Sequence, residues 1–241
     1  MALKLFVGFD GTITREETGN SFFRRFGGTE CDVILRDLHA KKISAQECLS
    51  RRVAQMGIIH VHELKQFLRT QALDETFKDC VAFCREHGIE LHVVSEWLDY
   101  CIREIFESHR IEGVSVFANM LIVNPVDGSD VLTLSVTFPY SDAECTRCAC
   151  CSRNILLTHA GDDDVIAFIG QGYSDRCPAH YADIVFAKNQ LQTFCQKENI
   201  SYYVYSTFGD VVERLRLILA RKTLRKRRRA ELRRRQAFMQ E

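Results

Sequence analysis

Apolar positions fall in short runs bounded by glycine and polar turns, and the first of these, Lys4 to Phe9, stops at Gly11 and predicts a buried strand running into a loop. From Thr14 to about Leu73 the spacing becomes helical, with pieces at Glu16 to Phe26, Cys31 to His39, Ser44 to Met56 and His62 to Thr70. Ser44 with Glu47 three residues on is a capping-box signature. Asp74 as N-cap opens a helix toward Gly88, and Ile89 to Val94 then reads as a strand ending at Ser95. Beyond it a helix fits Leu98 to Ser108, and strand-like runs fit Val114 to Val123, Val131 to Phe138, Val165 to Ile169, Ile184 to Ala187 and Tyr202 to Tyr205. Strands alternating with helical segments predict an α/β fold with a mostly parallel sheet. Gly209 to Gln240 reads as one helix, amphipathic in its first half so that it docks, and basic in its second so that it projects.

No run approaches the roughly 18 apolar residues that span a bilayer, and the N-terminus shows no signal-peptide pattern, so a soluble, cytoplasmic protein is expected. The 241 residues carry 32 Lys+Arg against 32 Asp+Glu, but Arg221 to Glu241 holds +8 and the remainder −8. Eleven cysteines in a chain long enough to bury its own core read mostly as reduced, buried thiols.

In a parallel sheet, ligands bind beyond the carboxyl ends of the strands. Three such places stand out: Gly8-Phe9-Asp10-Gly11-Thr12-Ile13-Thr14, Val93-Val94-Ser95, and Ile169-Gly170-Gln171-Gly172-Tyr173-Ser174-Asp175. Taken in order, with the helical insert and the Ala182 to Lys188 segment, they resemble the haloacid dehalogenase superfamily, in its phosphoserine-phosphatase-like branch that includes phosphatases of methionine salvage. The resemblance covers about residues 4 to 215. It implies a Rossmann-like three-layer core over 1–14 and 74–215 and a small all-helical cap over 15–73 inserted after the first strand; the remaining 216–241 reads, from its own charge, as a basic helical tail.

The same resemblance places the catalytic machinery. In that branch one aspartate attacks phosphorus and a second, two residues on, moves the proton. Asp10 matches the second and Thr12 the position after the following glycine, but Gly8 stands where the nucleophile belongs. Mg²⁺ is held in the branch by the nucleophile, a carbonyl and an aspartate of the later loop. Gln171 takes the place of that aspartate, and of the acids in the loop Asp175 is retained. Ser95 matches the group that binds phosphoryl oxygens, though Glu96 and Trp97 follow in place of small residues. A lysine expected after a Cys-x-x-Cys is Ser152 here, with Arg153 beside it. These coincident departures lead us to expect a protein without aspartyl-phosphate catalysis, more a binding or scaffolding protein than an enzyme, with Mg²⁺ weakly bound or absent. Its ligand would be a protein partner or a small phosphorylated molecule. A weakly active phosphomonoesterase of a small phosphorylated metabolite is one alternative, and a polyanion- or assembly-binding protein acting through the basic tail is another.

Two features stand apart from that pattern. Cys145, Cys148 and Cys151 have spacing that a tetrahedral Zn²⁺ accepts, and equally that of plain buried thiols. The tail, with Arg225, Lys226, Arg227, Arg228, Arg229, Arg233, Arg234 and Arg235, calls for water or an anionic neighbour: an acidic protein, RNA, an anionic surface, or the chain's own acidic body.

Overall fold

A computed structural model describes residues 2–221 and 224–239; Lys222 and Thr223 of the basic run, and Gln240 and Glu241 at its end, lie outside the described residues. In chain order the elements are β1 (Leu3–Gly8), α1 (Thr18–Gly27), α2 (Glu30–His39), α3 (Ala45–Gln55), β2 (Ile58–His60), α4 (Val61–Arg69), α5 (Phe77–Glu86), β3 (Glu90–Leu98), α6 (Asp99–Ser108), β4 (Ser115–Pro125), β5 (Val131–Thr137), α7 (Ser152–His159), β6 (Val165–Gly170), α8 (Arg176–Tyr181), β7 (Ile184–Ala187), α9 (Asn189–Lys197), β8 (Tyr203–Val204), α10 (Phe208–Leu219) and α11 (Arg228–Phe238). The fold is α/β, and the described residues divide into two compact units.

The first unit comprises 2–15, 73–94 and 152–239, so far as described. Its strands lie in the order β3-β1-β6-β7-β8, every pair parallel. Every residue of β6 is buried, as a central strand covered on both faces requires. α5 packs on α10, while α8 packs on α7, α9 and α11, two helical groups of the kind that flank a parallel sheet. Register aligns the carboxyl ends, with Gly8 opposite Val94 and Gly170 opposite Ala187. The loops after β1, β6 and β7 therefore leave the sheet along one edge.

The second unit comprises 16–72 and 95–151. Its helical part matches the expected insert, and Ser44 caps α3 by accepting a hydrogen bond from Glu47 N at 3.1 Å. An aromatic cluster anchors it: Phe22 lies 5.3, 5.2, 5.7 and 5.6 Å from the rings of Phe23, Phe26, Phe67 and Trp97. It is not all-helical, however, and 95–151 belongs to it rather than to the core. β2 pairs antiparallel with β5, Ile59 opposite Leu132, and β5 pairs antiparallel with β4. β2 has three residues, too few for periodicity to register, and its partner is more than 70 positions away. The β4–β5 hairpin turns at Gly128, whose φ of 69° suits glycine.

The tail departs further from expectation. α10 ends at Leu219, and the basic segment begins a second helix, α11, at Arg228. Arg227 between them is extended, and its N–H donates to Asp183 Oδ1 at 2.9 Å. Instead of projecting, the tail folds back on its own unit. Arg227 donates to the carbonyls of Ala179 and His180 at 2.7 and 2.9 Å, and Arg234 to that of Tyr181 at 2.5 Å. These are carbonyls in the last turn of α8, where a cation meets both unsatisfied acceptors and the negative end of the helix dipole. Arg229 donates to the carbonyls of Glu198 and Asn199, Lys226 to that of Asp162. Asp183, with a fully buried side chain, completes the joint by accepting from Arg234 at 3.0 Å and from Ile166 N of β6 at 3.0 Å. Of the eight basic residues singled out in the tail, Arg225, Arg228, Arg229 and Arg235 hold exposed positions, and Arg235 pairs with Glu231 at 3.0 Å.

Removing one partner of a buried ion pair leaves the other charge uncompensated. Asp183→Ala should therefore cost about 3–5 kcal/mol in chemical denaturation and speed tryptic cleavage between Arg221 and Arg235. A tail as protease-resistant as before would show that Asp183 does not hold it.

Candidate active site

The loop after β1 is a tight turn built on one acceptor. Phe9 O receives the N–H groups of Thr12, Ile13 and Thr14 at 3.2, 2.9 and 3.1 Å, while Thr14 Oγ1 accepts from Gly11 N at 2.9 Å. Gly11 has a φ of 65°, a backbone that favours glycine, and a Cβ there would lie 2.2 Å from Gln171 Nε2 and displace that amide. Asp10 stands half-buried at the head of this turn, and Thr12 is buried.

After β6, Asp175 turns back to cap the loop that leads to α8. Its Oδ2 accepts from Gln171 N at 2.7 Å and Gly172 N at 2.8 Å. A Cβ on Gly170 would come within 2.6 Å of the Asp175 carboxyl carbon, and one on Gly8 within 3.0 Å of its Oδ1. The Asp175 carboxylate thus packs against the main chain at the ends of both strands. Its burial pushes its pKa up from 3.8 to about 6, against the lowering effect of the two N–H donors.

Gln171 bridges the two loops. Its Nε2 donates to Asp10 O at 3.4 Å, and its Oε1 accepts from Asn189 Nδ2 at 2.8 Å. Lys188, directly after β7, joins the same edge with its ammonium 5.0 Å from the centre of the Tyr205 ring. Burial holds its pKa below the usual lysine range, with the Asp74 carboxylate opposing. Tyr205 donates to Gly170 O at 3.2 Å, and burial raises its own pKa, with the Asp175 charge adding to the rise.

Asp10, Thr12, Gly8, Gln171 and Asp175 are therefore brought together as the sequence suggests. Arg153 lies in the first turn of α7, its Nε donating to Asn154 at 3.0 Å. Ser95 belongs to the second unit, where its hydroxyl accepts from Trp97 N at 3.0 Å. Trp97 is a core residue of that unit rather than a lining group. Lys188 was not singled out, although it follows an apolar strand run just as Asp10 and Gln171 do.

The donor set does not fit a divalent cation of the Mg²⁺ kind, which takes near-octahedral oxygen ligands and usually one or two carboxylates. Asp175 spends one oxygen on two N–H donors, Gly8 supplies none, and the carbonyl of Asp10 already faces an N–H₂ group. Zinc at the cysteines fares no better. Cys145, Cys148 and Cys151 do not form a group of three close ligand atoms; among the described residues the one such group is His60, His62 and Asp130. A hydrogen bond with Cys151, and burial after it, push the Cys148 thiol up from its ordinary range.

A family described as Putative Phosphatase matches residues 3–201, and the chain belongs to it, within the haloacid dehalogenase superfamily and its phosphoserine-phosphatase-like branch. Among its relatives is the 2-hydroxy-3-keto-5-methylthiopentenyl-1-phosphate phosphatase of Geobacillus kaustophilus (strain HTA426), 32% identical over 218 residues, 88% of this chain and 95% of that protein. The protein of the same name from Bacillus cereus (strain B4264) is 28% identical and covers 91% of this chain and 98% of its own. In fold the chain is similar to phosphoserine phosphatase with a phospho-aspartyl intermediate analogue (TM-score 0.61, 16% identity, 89% and 99% covered) and to phosphoserine phosphatase from T. onnurineus (TM-score 0.61, 18% identity, 93% and 96% covered).

These relatives overturn the expectation of a non-catalytic binding or scaffolding protein, because they are phosphatases matched over nearly their whole length. The lean away from an enzyme goes with it. That inference equated the coincident departures at Gly8, Gln171, Glu96-Trp97 and Ser152 with the loss of the reaction, whereas hydrolysis also runs by direct attack of a positioned water. No helix among the described residues is long and apolar enough to cross a membrane.

Asp175 has a pKa raised in the folded state, so its contribution to stability is fully present below pH 3.8 and lost as pH rises through about 6. The loss amounts to about 3 kcal/mol. Asp175→Asn should flatten the dependence of unfolding free energy on pH between pH 4 and pH 7. A variant with the wild-type slope would place that titration elsewhere.

Proposed function

We propose that the chain is a phosphatase of a small phosphorylated metabolite, of the keto-methylthiopentenyl phosphate class that its relatives' names specify. The observation that carries this is the match to those phosphatases along 88% of the chain, with the loops after β1 and β6 retained at one sheet edge. Gly8 has no side chain, so no aspartyl-phosphate forms there. Water attacks phosphorus directly, the new O–P bond forming as the ester P–O bond breaks. Asp10 takes the proton from the attacking water, the leaving alkoxide takes one from solvent, and Lys188 offsets charge developing on the phosphoryl oxygens. Its depressed pKa reflects burial, which also strengthens its attraction for an anion.

Release of inorganic phosphate from a panel of small phosphate esters, with and without a chelator, tests the proposal. Turnover should survive chelation and fall about 10²–10⁴-fold in Asp10→Asn, the usual contribution of a positioned proton-transfer group. No phosphate from any ester would refute it. Restoring both carboxylates in Gly8→Asp/Gln171→Asp should raise the rate and make it depend on Mg²⁺. Gly8→Asp alone should lower stability by about 1–3 kcal/mol, since its Cβ sits 3.0 Å from Asp175 Oδ1.

A further inference from the structure

In the second unit, His60, His62 and Asp130 place one ligand atom each within 4.8 Å of one another. Three separate elements bring them there. His60 ends β2 and is the N-cap of α4, His62 lies in the first turn of α4, and Asp130 closes the β4–β5 turn. The backbone around them is well tied. Val61 N donates to Asp130 O at 3.1 Å, and His60 stands opposite Val131 in the β2–β5 ladder. The Cα positions of all three residues are thus fixed by main-chain bonds, while their side chains are exposed and free to choose rotamers.

We propose that His60, His62 and Asp130 form a binding site for a divalent transition metal of the Zn²⁺ class. Two imidazoles and one carboxylate are a ligand set that Zn²⁺ accepts, and three protein ligands leave a fourth position open. The separation of His62 Nδ1 from Asp130 Oδ2 is 3.5 Å, close to the spacing of two ligands about 2.1 Å from a tetrahedral ion. The His60 and His62 rings have centroids 5.6 Å apart, so His60 closes on the ion by a side-chain rotation, at small cost for an exposed group. His62 and Asp130 also line a cleft of about 430 Å³, together with Lys65, Gln66, Arg69 and Thr70. Lys65 and Arg69 there favour water or a small anion as the fourth ligand.

The test uses the full chain, freed of metal and kept reduced, titrated with Zn²⁺ alone by calorimetry and with Co²⁺ by absorption. One equivalent should bind with d–d bands of a tetrahedral nitrogen and oxygen site and without the thiolate charge-transfer band that cysteine ligands give. His62→Ala and Asp130→Ala should each weaken binding at least 10-fold. Cys148→Ser/Cys151→Ser should bind as the native chain does. Thiolate charge-transfer bands, equal affinity in the His62 and Asp130 variants, or no binding at all would overturn the assignment. None of these readouts involves phosphate release, so the result stands apart from that of the proposed reaction.

Discussion

A carboxylate sealed between two strand ends governs the chemistry of this fold. Asp175 is buried against the backbone at Gly8 and Gly170, and its pKa is raised because nothing around it replaces the water it has lost except two N–H donors. Much else follows from that placement. Gly170 is glycine because a Cβ would overlap the carboxyl group, and a side chain at Gly8 would need Asp175 to give way. With no second carboxylate alongside, the like-charge repulsion that normally accompanies paired aspartates is absent, and no cation is required to relieve it.

Gln171 follows the same logic from the other side. An amide both donates and accepts, so it satisfies Asp10 O and Asn189 Nδ2 at once, a bridging task that an aspartate, acceptor only when ionised, could not perform. The exchange of a metal-ligand type of residue for a bridging one keeps the loops after β1 and β6 together by hydrogen bonds where a charge-rich site would use an ion. Gly8 and Gln171 are therefore mutually consistent: each removes an anion from a place where the other leaves no cation to balance it.

How much of this the sequence revealed depends on range. Strand runs such as Val165 to Ile169, the Ser44 cap and the loop residues Asp10, Gln171 and Asp175 are local signals, and each is found where its pattern places it. Non-local contacts were not legible. The three residues of β2 carry no period and depend on β5 for their definition. The single-helix reading of the C-terminal segment failed because the break lies where Arg227 is drawn to Asp183, 44 positions away. The cysteine spacing, for its part, says nothing about which sulfurs meet. Only the folded chain shows Cys148 turned to Cys151 as a thiol pair.

The basic tail illustrates how net charge misleads when geometry is unknown. A +8 segment invites a polyanion, yet its first obligations are the carbonyls ending α8 and the buried carboxylate of Asp183. Ion pairs between exposed side chains contribute little, because water and salt screen them. Asp183 is different: its fully buried side chain joins Ile166 of β6, Arg227 and Arg234 through three hydrogen bonds. The charge imbalance between tail and body is in part an internal match, and arginine serves it better than lysine because one guanidinium spans several carbonyls in a fixed plane. What remains for any external anion is the fraction of the tail that α8 and Asp183 leave uncommitted, Arg225 and Arg228 foremost.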